Sequence, residues 1–275
     1  MKAQLESIIH QVWQKEKRNL FTFLTGAGIS SDSGIPTYRG IDGIWVKGTQ
    51  FHKPEEFGTL RYFKQHPEEV LQYSLFRKKM FEEASPNESH AELAAIEHQL
   101  QDRFHLITQN IDNLHRRSGN QRMYEIHGNN REIKCSNGCK EILLLPQEIK
   151  GKDLREDLTD RDKELLTCTQ CGHWMRPNIL WFDEYYNEKT HKRFSALKIA
   201  KNSGVLFIVG TSGATNLPIA ITETALKYGA LVVDINIEDN NFTNLIRNKK
   251  NTLIIREKST DVLTMIHEII DELIL

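Results

Sequence analysis

The sequence predicts an α/β protein with a Rossmann-like parallel sheet, helices on both faces of that sheet, and a smaller zinc-binding and helical lobe. Three observations predict this architecture. Short apolar runs rich in β-forming residues alternate with stretches whose apolar residues have helical spacing. A glycine-rich segment directly follows the first of these runs. Four cysteines form two close pairs near the middle of the chain.

The predicted strands are six short apolar runs at residues 20–25, 104–108, 178–182, 205–209, 231–235 and 252–255. Helical spacing of apolar residues occurs at 89–100, at 194–201 and in a C-terminal stripe from Val262 to Leu273. Strands that alternate with helices favour a parallel sheet, because each crossover helix packs against a face of the sheet. This alternation predicts the larger domain.

Two segments interrupt the alternation, and we predict that together they form the smaller lobe. Residues 41–84 contain several aromatic side chains and a basic, helix-like stretch at 70–81, so they form its helical part. Residues 129–176 contain the cysteines and a charged insertion at 151–164, which is most simply a solvated loop or helix. The Rossmann-like domain then comprises residues 1–40, 85–128 and 177–275.

The composition narrows the class of protein. The chain has 275 residues, of which 39% are hydrophobic and 27% charged, and this balance is typical of a soluble globular protein. A formal net charge of -1 gives no electrostatic reason to expect nucleic acid as a direct partner. The apolar runs are too short to cross a membrane, and the first residues lack an apolar signal core, so we expect a cytoplasmic protein. The sequence does not indicate the oligomeric state.

The glycine-rich segment at 25–31 stands where a dinucleotide-binding loop should stand, after a predicted strand. Glycines let the backbone approach a pyrophosphate, and the N-terminus of a following helix attracts its charge. Gly26 and Gly28 occupy the first two positions of the GxGxxG pattern, but Ser31 stands at the third. Taken alone, the loop is equally well explained as a tight turn that binds no ligand.

A polar segment, Thr-Gln-Asn-Ile-Asp-Asn-Leu-His at 108–115, ends a predicted strand at the edge of the sheet where ligands bind in open α/β folds. Asn110 and Asp112 could bind a ribose or an amide there, although Asp112 could also cap a helix in an ordinary polar loop. His127 follows a short predicted strand at 123–126. A neutral imidazole can accept a proton at physiological pH, but most single histidines are ordinary polar residues.

The cysteine pairs have the spacings C-x3-C and C-x2-C. Zinc takes four tetrahedral ligands, and two such thiolate pairs can supply all of them. In a chain without an export signal, metal ligands are favoured over a disulfide framework or a redox pair. We therefore predict a structural Zn²⁺ site with four protein ligands, Cys135, Cys139, Cys168 and Cys171.

These features occur together in the sirtuin family of NAD-dependent protein deacylases, which the chain resembles from about Leu20 to its C-terminus. The segment 26–39 resembles the sirtuin motif GAGxSxxSGIPxFR, and 108–115 resembles TQNxDxLH. His127 and Gly128 stand where the family has the His-Gly pair of its general base. The segments 86–90, 176–184 and 210–218 resemble the family patterns PNxxHxAL, RPxVVxFGE and GTSxxVxP.

The resemblance implies an NAD-dependent lysine deacylase that acts on acylated proteins or peptides and releases nicotinamide and O-acyl-ADP-ribose. In that mechanism the acyl oxygen displaces nicotinamide, and His127 then accepts a proton from a ribose hydroxyl. Asn110 and Asp112 are implied to hold the nicotinamide ribose. The residues implied to bind NAD are Gly26, Ala27, Gly28, Ile35, Arg39, Gln109, Asn110, Ile111, Asp112, Gly210, Thr211, Ser212 and Asn236. Those implied to bind the substrate are Arg77, Phe182, Asp183 and Glu184.

Departures from the family pattern leave the reaction and the acyl group open. Thr37 and Asp183, the latter in place of a glycine, favour the alternative of an ADP-ribosyltransferase or NAD glycohydrolase with the same pocket. Arg77 aligns with the arginine of the Tyr-x-x-Arg pair in the branch that removes succinyl and malonyl groups, and an arginine can bind a carboxylate through two bonds. Ser74 occupies the tyrosine position, however, and Tyr73 lies one residue away, a rotation of about 100° on a helix. Recognition of an acidic acyl group therefore stays open, and we favour a packed amphipathic helix with a solvated arginine.

Overall fold

A six-stranded parallel sheet forms the centre of the larger domain in the computed structural model, which describes residues 1–37 and 54–274. The strands of these residues are β1 (Leu20–Thr25), β2 (Phe104–Thr108), β3 (Met123–Glu125), β4 (Gly128–Cys135), β5 (Leu143–Leu144), β6 (Met175–Ile179), β7 (Ser203–Val209), β8 (Leu231–Ile235) and β9 (Thr252–Ile255). The large sheet has the order β3-β2-β1-β7-β8-β9, and all of its neighbouring strands run parallel. A second, antiparallel sheet has the order β5-β4-β6.

Helices cover both faces of the large sheet, as predicted. The helices of the described residues are α1 (Lys2–Trp13), α2 (Pro54–Phe57), α3 (Leu60–Gln65), α4 (Pro67–Glu83), α5 (Glu88–Leu100), α6 (Leu114–Ser118), α7 (Asp160–Leu165), α8 (Glu188–His191), α9 (Arg193–Asn202), α10 (Asn216–Lys227), α11 (Asn241–Ile246) and α12 (Ser259–Ile274). Successive side chains of a strand point to opposite faces, so Phe21 and Phe23 of β1 pack against α1, α5 and α12, while Leu24 packs against α9, α10 and α11. Within the described residues, every helix is too short or too polar to span a bilayer.

The predicted strand bounds hold for four of the six predicted strands. The strands at 20–25, 104–108, 231–235 and 252–255 have the predicted bounds, and β7 begins two residues earlier than predicted. The prediction of a strand at 178–182 was wrong. That strand is β6, which ends at Ile179 and pairs antiparallel with β4 in the small sheet. The run Ile-Leu-Trp-Phe at 179–182 has the composition of a buried strand, but its last residues leave the sheet and pack inside the smaller lobe.

The smaller lobe has one hydrophobic core that its helical and zinc-binding parts share. Side chains of α2, α3 and α4, such as Phe57, Phe63 and Leu71, pack with Ile133 of β4 and with buried cysteines. Trp181 belongs to this core, although the predicted division assigned residues 177–275 to the larger domain. Residues 41–53 of the predicted helical part lie outside the described residues. The shared core joins α4 firmly to the zinc-binding part.

The charged insertion at 151–164 is less solvated than its composition indicates. Lys152 and Asp162 are both buried, and their charged groups lie 3.1 Å apart. The Lys79 ammonium on α4 lies 2.7 Å from the Asp153 carboxylate. A Cβ atom on Gly151 would lie 2.6 Å from the Cα atom of Lys79, so only glycine allows the two backbones to approach this closely. The insertion therefore packs against α4 and stabilises it.

Candidate active site

A cavity of about 1180 Å³ lies between the two lobes, at the carboxyl ends of β1, β2, β7 and β8. Its walls are the loops that follow these strands, one face of α4, and the segment after β6. Among the described residues, every side chain or glycine predicted to bind cofactor or substrate lines this cavity, with the exception of Asp183. Arg39 lies outside the described residues. The structure thus brings together side chains that are scattered over more than 200 positions of the sequence.

The glycine-rich loop continues into a 3-10 helix, Ala27–Ser33. Its glycines are required by a close contact with the loop after β7. A Cβ atom on Gly26 would lie 2.5 Å from the Cβ atom of Thr211, and one on Gly28 would lie 2.7 Å from the carbonyl oxygen of Gly210. The Gly28 amide donates to that same oxygen at 2.8 Å. The two loops therefore form one continuous wall of the cavity.

The floor of the cavity is a buried network of polar side chains. The Asn110 amide donates to the Gly26 carbonyl at 3.1 Å and lies 3.2 Å from the Ser30 hydroxyl. That hydroxyl donates to the Asp112 carboxylate at 2.8 Å, and the Leu114 amide donates to the same carboxylate at 2.9 Å. Burial raises the pKa of Asp112, and these two hydrogen bonds oppose the rise. Asp112 thus accepts from the first amide of α6, although the N-cap residue is Asn113 and not Asp112, and Asp112 also lines the cavity.

Gln109 connects three of the loops. Its side-chain amide donates to the Thr211 hydroxyl at 2.8 Å, and its side-chain oxygen accepts from the Thr215 hydroxyl at 3.2 Å. The Asn236 amide, after β8, donates to the Thr211 carbonyl at 3.1 Å. These bonds hold the ends of β2, β7 and β8 in a fixed relation around the cavity.

His127 lies between β3 and β4, where it is half-buried and lines the cavity. Its Nε2 atom lies 2.7 Å from the hydroxyl oxygen of Tyr186. Burial lowers the pKa of His127 to about 4, the nearby His191 lowers it further, and a hydrogen bond with the backbone of Gln109 opposes the shift. The ring is therefore a neutral base at physiological pH. Sequence analysis missed Tyr186, because a single tyrosine in a loop has no spacing that marks it.

Tyr73, Ser74 and Arg77 of α4 all line the cavity. Tyr73 stands four residues before Arg77, so the two side chains lie on the same face of the helix despite the offset from the family pattern. The prediction of a solvated Arg77 was wrong. The side chain is half-buried, and its guanidinium carbon lies 5.1 Å from the centre of the Phe81 ring. Its charge acts within the cavity, since it lowers the pKa of Asp112 against the effect of burial.

The predicted substrate-binding residues that follow β6 have different positions and contacts. Phe182 lines the cavity with its side chain partly exposed, and its amide donates to the Gly58 carbonyl at 2.9 Å. Asp183 instead accepts hydrogen bonds from the amides of Leu60, at 2.7 Å, and Arg61, at 3.0 Å. These amides begin α3, whose unpaired N–H groups favour an acidic partner. The structure therefore gives Asp183 a capping role in place of the predicted contact with substrate.

Glu184 lines the cavity but is already paired. Its carboxylate accepts from the guanidinium of the buried Arg176 at 3.0 and 2.7 Å and from the Trp181 amide at 3.1 Å. The guanidinium carbon of Arg176 lies 3.6 Å from the centre of the Trp181 ring. This ion pair fixes the course of the chain from β6 to the cavity wall.

The four cysteine sulfurs meet at the tip of the smaller lobe, all within 4.8 Å of one another. Four of the sulfur–sulfur distances are 3.2 to 3.5 Å. Thiolates bound to zinc at about 2.3 Å in a tetrahedron lie about 3.8 Å apart, so a small outward movement accommodates the ion. Gly138, directly before Cys139, and Gly172, directly after Cys171, have positive φ angles of 71° and 72°, which tight turns of this kind require. The residues present fit a four-coordinate structural zinc site.

Comparison with known proteins agrees with this geometry. A family model described as the Sir2 family matches residues 26–216. The chain belongs to the Sir2 family. Among its Sir2 relatives, an NAD-dependent protein deacylase of Leptospira interrogans is 32% identical over 261 residues, which cover 94% of this chain and 96% of the relative. A protein with the same name from Pyrococcus furiosus is 37% identical over 227 residues, 82% of this chain and 85% of its own.

Solved Sir2 structures have the same fold. A complex of a Sir2 homologue with NAD superposes with a TM-score of 0.79 at 25% identity, covering 100% of this chain and 95% of the other. A complex of a mutant Sir2 with a deacetylated p53 peptide and 3'-O-acetyl-ADP-ribose superposes with a TM-score of 0.73 at 25% identity, covering 97% of both chains. The two-lobed architecture around the cavity is therefore that of the Sir2 family.

Proposed function

We propose that the protein is an NAD-dependent protein deacylase that transfers the acyl group of a modified lysine to the ADP-ribose part of NAD. The observation that carries this proposal is the meeting of a neutral, half-buried imidazole, a polar floor and a glycine-lined wall in one cavity. When bound, NAD supplies the glycosidic bond that breaks and the ribose hydroxyl that receives the acyl group. The Sir2 relatives named above support this assignment.

The chain's own residues have separate tasks in this reaction. The loops that contain Gly26, Gly28 and Thr211 form the wall that would hold the dinucleotide, and they approach each other too closely to admit larger side chains. Asn110 and Asp112 present a polar floor suited to a ribose. His127, neutral and half-buried, accepts a proton at Nε2 and so activates a hydroxyl in the cavity.

The substrate is a protein or peptide with an acylated lysine. The segment after β6 lies at the mouth of the cavity, and the partly exposed Phe182 offers an apolar surface there. One of the similar Sir2 structures contains a deacetylated peptide, which supports a peptide as the ligand of this face. We also place the protein in the cytoplasm, since thiolates must stay reduced to bind zinc.

The acyl end of the cavity favours a chain that ends in a carboxylate. Tyr73 and Arg77 stand on one face of α4 and line the cavity, and the charge of Arg77 already acts on Asp112 there. An arginine binds a carboxylate through two parallel hydrogen bonds. Replacing Arg77 with methionine keeps the apolar stem but removes these donors.

The purified protein should release free lysine from acetyl-, succinyl- or longer acyl-lysine peptides only when NAD is present. The substitution His127→Ala should lower the rate by about 100-fold or more, because a positioned general base contributes that much. Arg77→Met should lower succinyl turnover by about 10- to 100-fold, the value of a charge-assisted hydrogen bond, while acetyl turnover is kept. Failure of the wild type to deacylate any of these peptides would refute the proposed function.

Transfer of ADP-ribose to protein, or plain NAD cleavage, was the alternative that Asp183 and Thr37 favoured. The hydrogen bonds of Asp183 to the start of α3 explain that residue without any change of reaction. Nicotinamide release in the absence of an acylated peptide, measured in the same assay, distinguishes the alternative from deacylation.

A further inference from the structure

The hydrogen bond between Tyr186 and His127 constrains how a proton can reach the base. The His127 ring makes a hydrogen bond with the backbone of Gln109, and its Nε2 atom lies 2.7 Å from the Tyr186 hydroxyl. A neutral imidazole has one N–H group and one nitrogen lone pair. To act as a base at Nε2, as in the proposed function, the ring must carry its proton on Nδ1, which leaves the lone pair on Nε2. In that tautomer the Tyr186 hydroxyl donates to Nε2.

That lone pair can accept only one proton donor at a time. A hydroxyl in the cavity that is to be activated by His127 must either displace Tyr186 or pass its proton through the tyrosine oxygen. The phenol oxygen keeps lone pairs of its own, and Tyr186 lines the cavity. It is thus able to accept from a cavity hydroxyl while it donates to Nε2.

The packing around Tyr186 favours the second route. The ring packs against the hydrophobic core under the large sheet and meets His191 edge-on, with centroids 6.0 Å apart. His191 is itself held in place, because its Nδ1 atom accepts from the Asn187 amide at 3.2 Å. Displacing a ring that is held on these sides would disrupt the wall of the cavity.

We propose that Tyr186 is a catalytic proton relay between a substrate hydroxyl in the cavity and His127. The O–H bond of the hydroxyl breaks as its proton forms a new bond to the Tyr186 oxygen. At the same time the original Tyr186 proton moves to Nε2. The hydroxyl oxygen becomes a nucleophile, His127 becomes an imidazolium, and Tyr186 ends the step as it began, with one proton. This inference rests on the proposed function, in which the hydroxyl belongs to the ribose of NAD.

The hydrogen bond itself can be tested in the free, full-length, zinc-loaded protein. The ¹⁵N resonances of the His127 ring should report a single neutral tautomer with the proton on Nδ1. Tyr186→Phe keeps the aromatic ring but removes the hydroxyl, so the Nε2 resonance should move towards that of a free lone pair. Tyr185→Phe is the matched control, because Tyr185 is the neighbouring tyrosine and is 89% exposed. An Nε2 resonance that is identical in wild type and Tyr186→Phe would overturn the inference.

The relay is tested by the rate of acyl transfer in a single turnover. Tyr186→Phe should slow this step by about 100-fold, the lower end of the contribution of a general base, and leave the Kd for NAD nearly unchanged. In mixtures of H₂O and D₂O, a plot of the wild-type rate against the deuterium fraction should be curved, because two protons move together. The same plot for the residual rate of Tyr186→Phe should be a straight line. Tyr185→Phe should behave as the wild type.

The outcomes separate this proposal from the assignment of the reaction. If the wild type is active and Tyr186→Phe transfers the acyl group at an equal or higher rate, the relay is overturned and the deacylase assignment stands. A linear dependence in the wild type would also overturn it. If the wild type deacylates nothing, the proposed function fails and the relay fails with it, while the ring resonances still decide whether Tyr186 donates to His127.

Discussion

Moderate acid is expected to destabilise the folded protein, because several imidazoles are buried in the neutral form. Burial lowers the pKa values of His90, His105 and His127 to about 4, from an ordinary value of 6.5. Above pH 6.5 these groups are neutral in the folded and the unfolded chain and do not affect stability. As the pH falls below that value, the unfolded chain binds protons that the folded protein does not, and the free energy of unfolding decreases.

The size of this effect can be isolated at His105, which lies outside the cavity lining and packs edge-on against Tyr124, with ring centroids 4.3 Å apart. Each such histidine lowers the free energy of unfolding by up to about 1.4 kcal/mol per pH unit. Between about pH 6.5 and pH 5, His105 alone therefore contributes a loss of about 1.6 kcal/mol, because the slope reaches its full value only below pH 6.5. His105→Gln should remove this part of the pH dependence.

Urea unfolding followed by circular dichroism over this pH range measures the difference. The free energy of unfolding of His105→Gln should fall less steeply with decreasing pH than that of the wild type. His98→Gln removes an exposed imidazole from α5 and serves as the matched control. If wild type and His105→Gln show parallel pH profiles, the assignment of a buried neutral ring to His105 is incorrect.

Four further predictions concern the site. Chelation of zinc should unfold the smaller lobe and abolish activity while the larger domain keeps its helical circular dichroism, since structural zinc supplies folding energy. Gly28→Ala should weaken NAD binding and destabilise the protein by about 1–3 kcal/mol, because the new methyl group meets the Gly210 carbonyl; calorimetry and urea unfolding measure both effects. Asp183→Ala should cost about 1 kcal/mol of stability, and Asp183→Asn less, because Asn keeps one acceptor for the start of α3. The kcat/KM for NAD should stay constant down to about pH 5 and fall only below it, since His127 acts as a base and must be unprotonated. A fall of kcat/KM that begins near pH 6.5 would contradict the lowered pKa of His127.

Features that depend on neighbouring residues could be predicted from the sequence. The strands at 20–25, 104–108 and 231–235 have the predicted bounds, because a strand buried on both faces is an unbroken apolar run between polar or glycine-rich turns. The cysteine pairs predict their own site, since short spacings bring two sulfurs together in any fold. The residues at the carboxyl ends of the strands also meet as predicted, because parallel strands end at one edge of the sheet.

Features that depend on distant residues could not be predicted in this way. The apolar run at 178–182 has the composition of a strand of the large sheet, yet the core of the smaller lobe takes up Trp181. The family resemblance implies that Asp183 binds substrate, and only the approach of α3 from more than 120 positions away shows it to be a helix cap.

The sequence by itself therefore determined the class of the fold and the cysteine cluster, because periodicity and spacing are local properties. The residues that bind cofactor were indicated by the resemblance to the sirtuin family. Only the tertiary structure decided which partner each polar side chain has. Tyr186 shows the difference most clearly, since neither its neighbours nor its spacing relate it to His127, and the two meet only when the chain after β6 packs against the large sheet. Hydrogen bonds of this kind depend on atoms within about 3 Å, and such distances arise from packing.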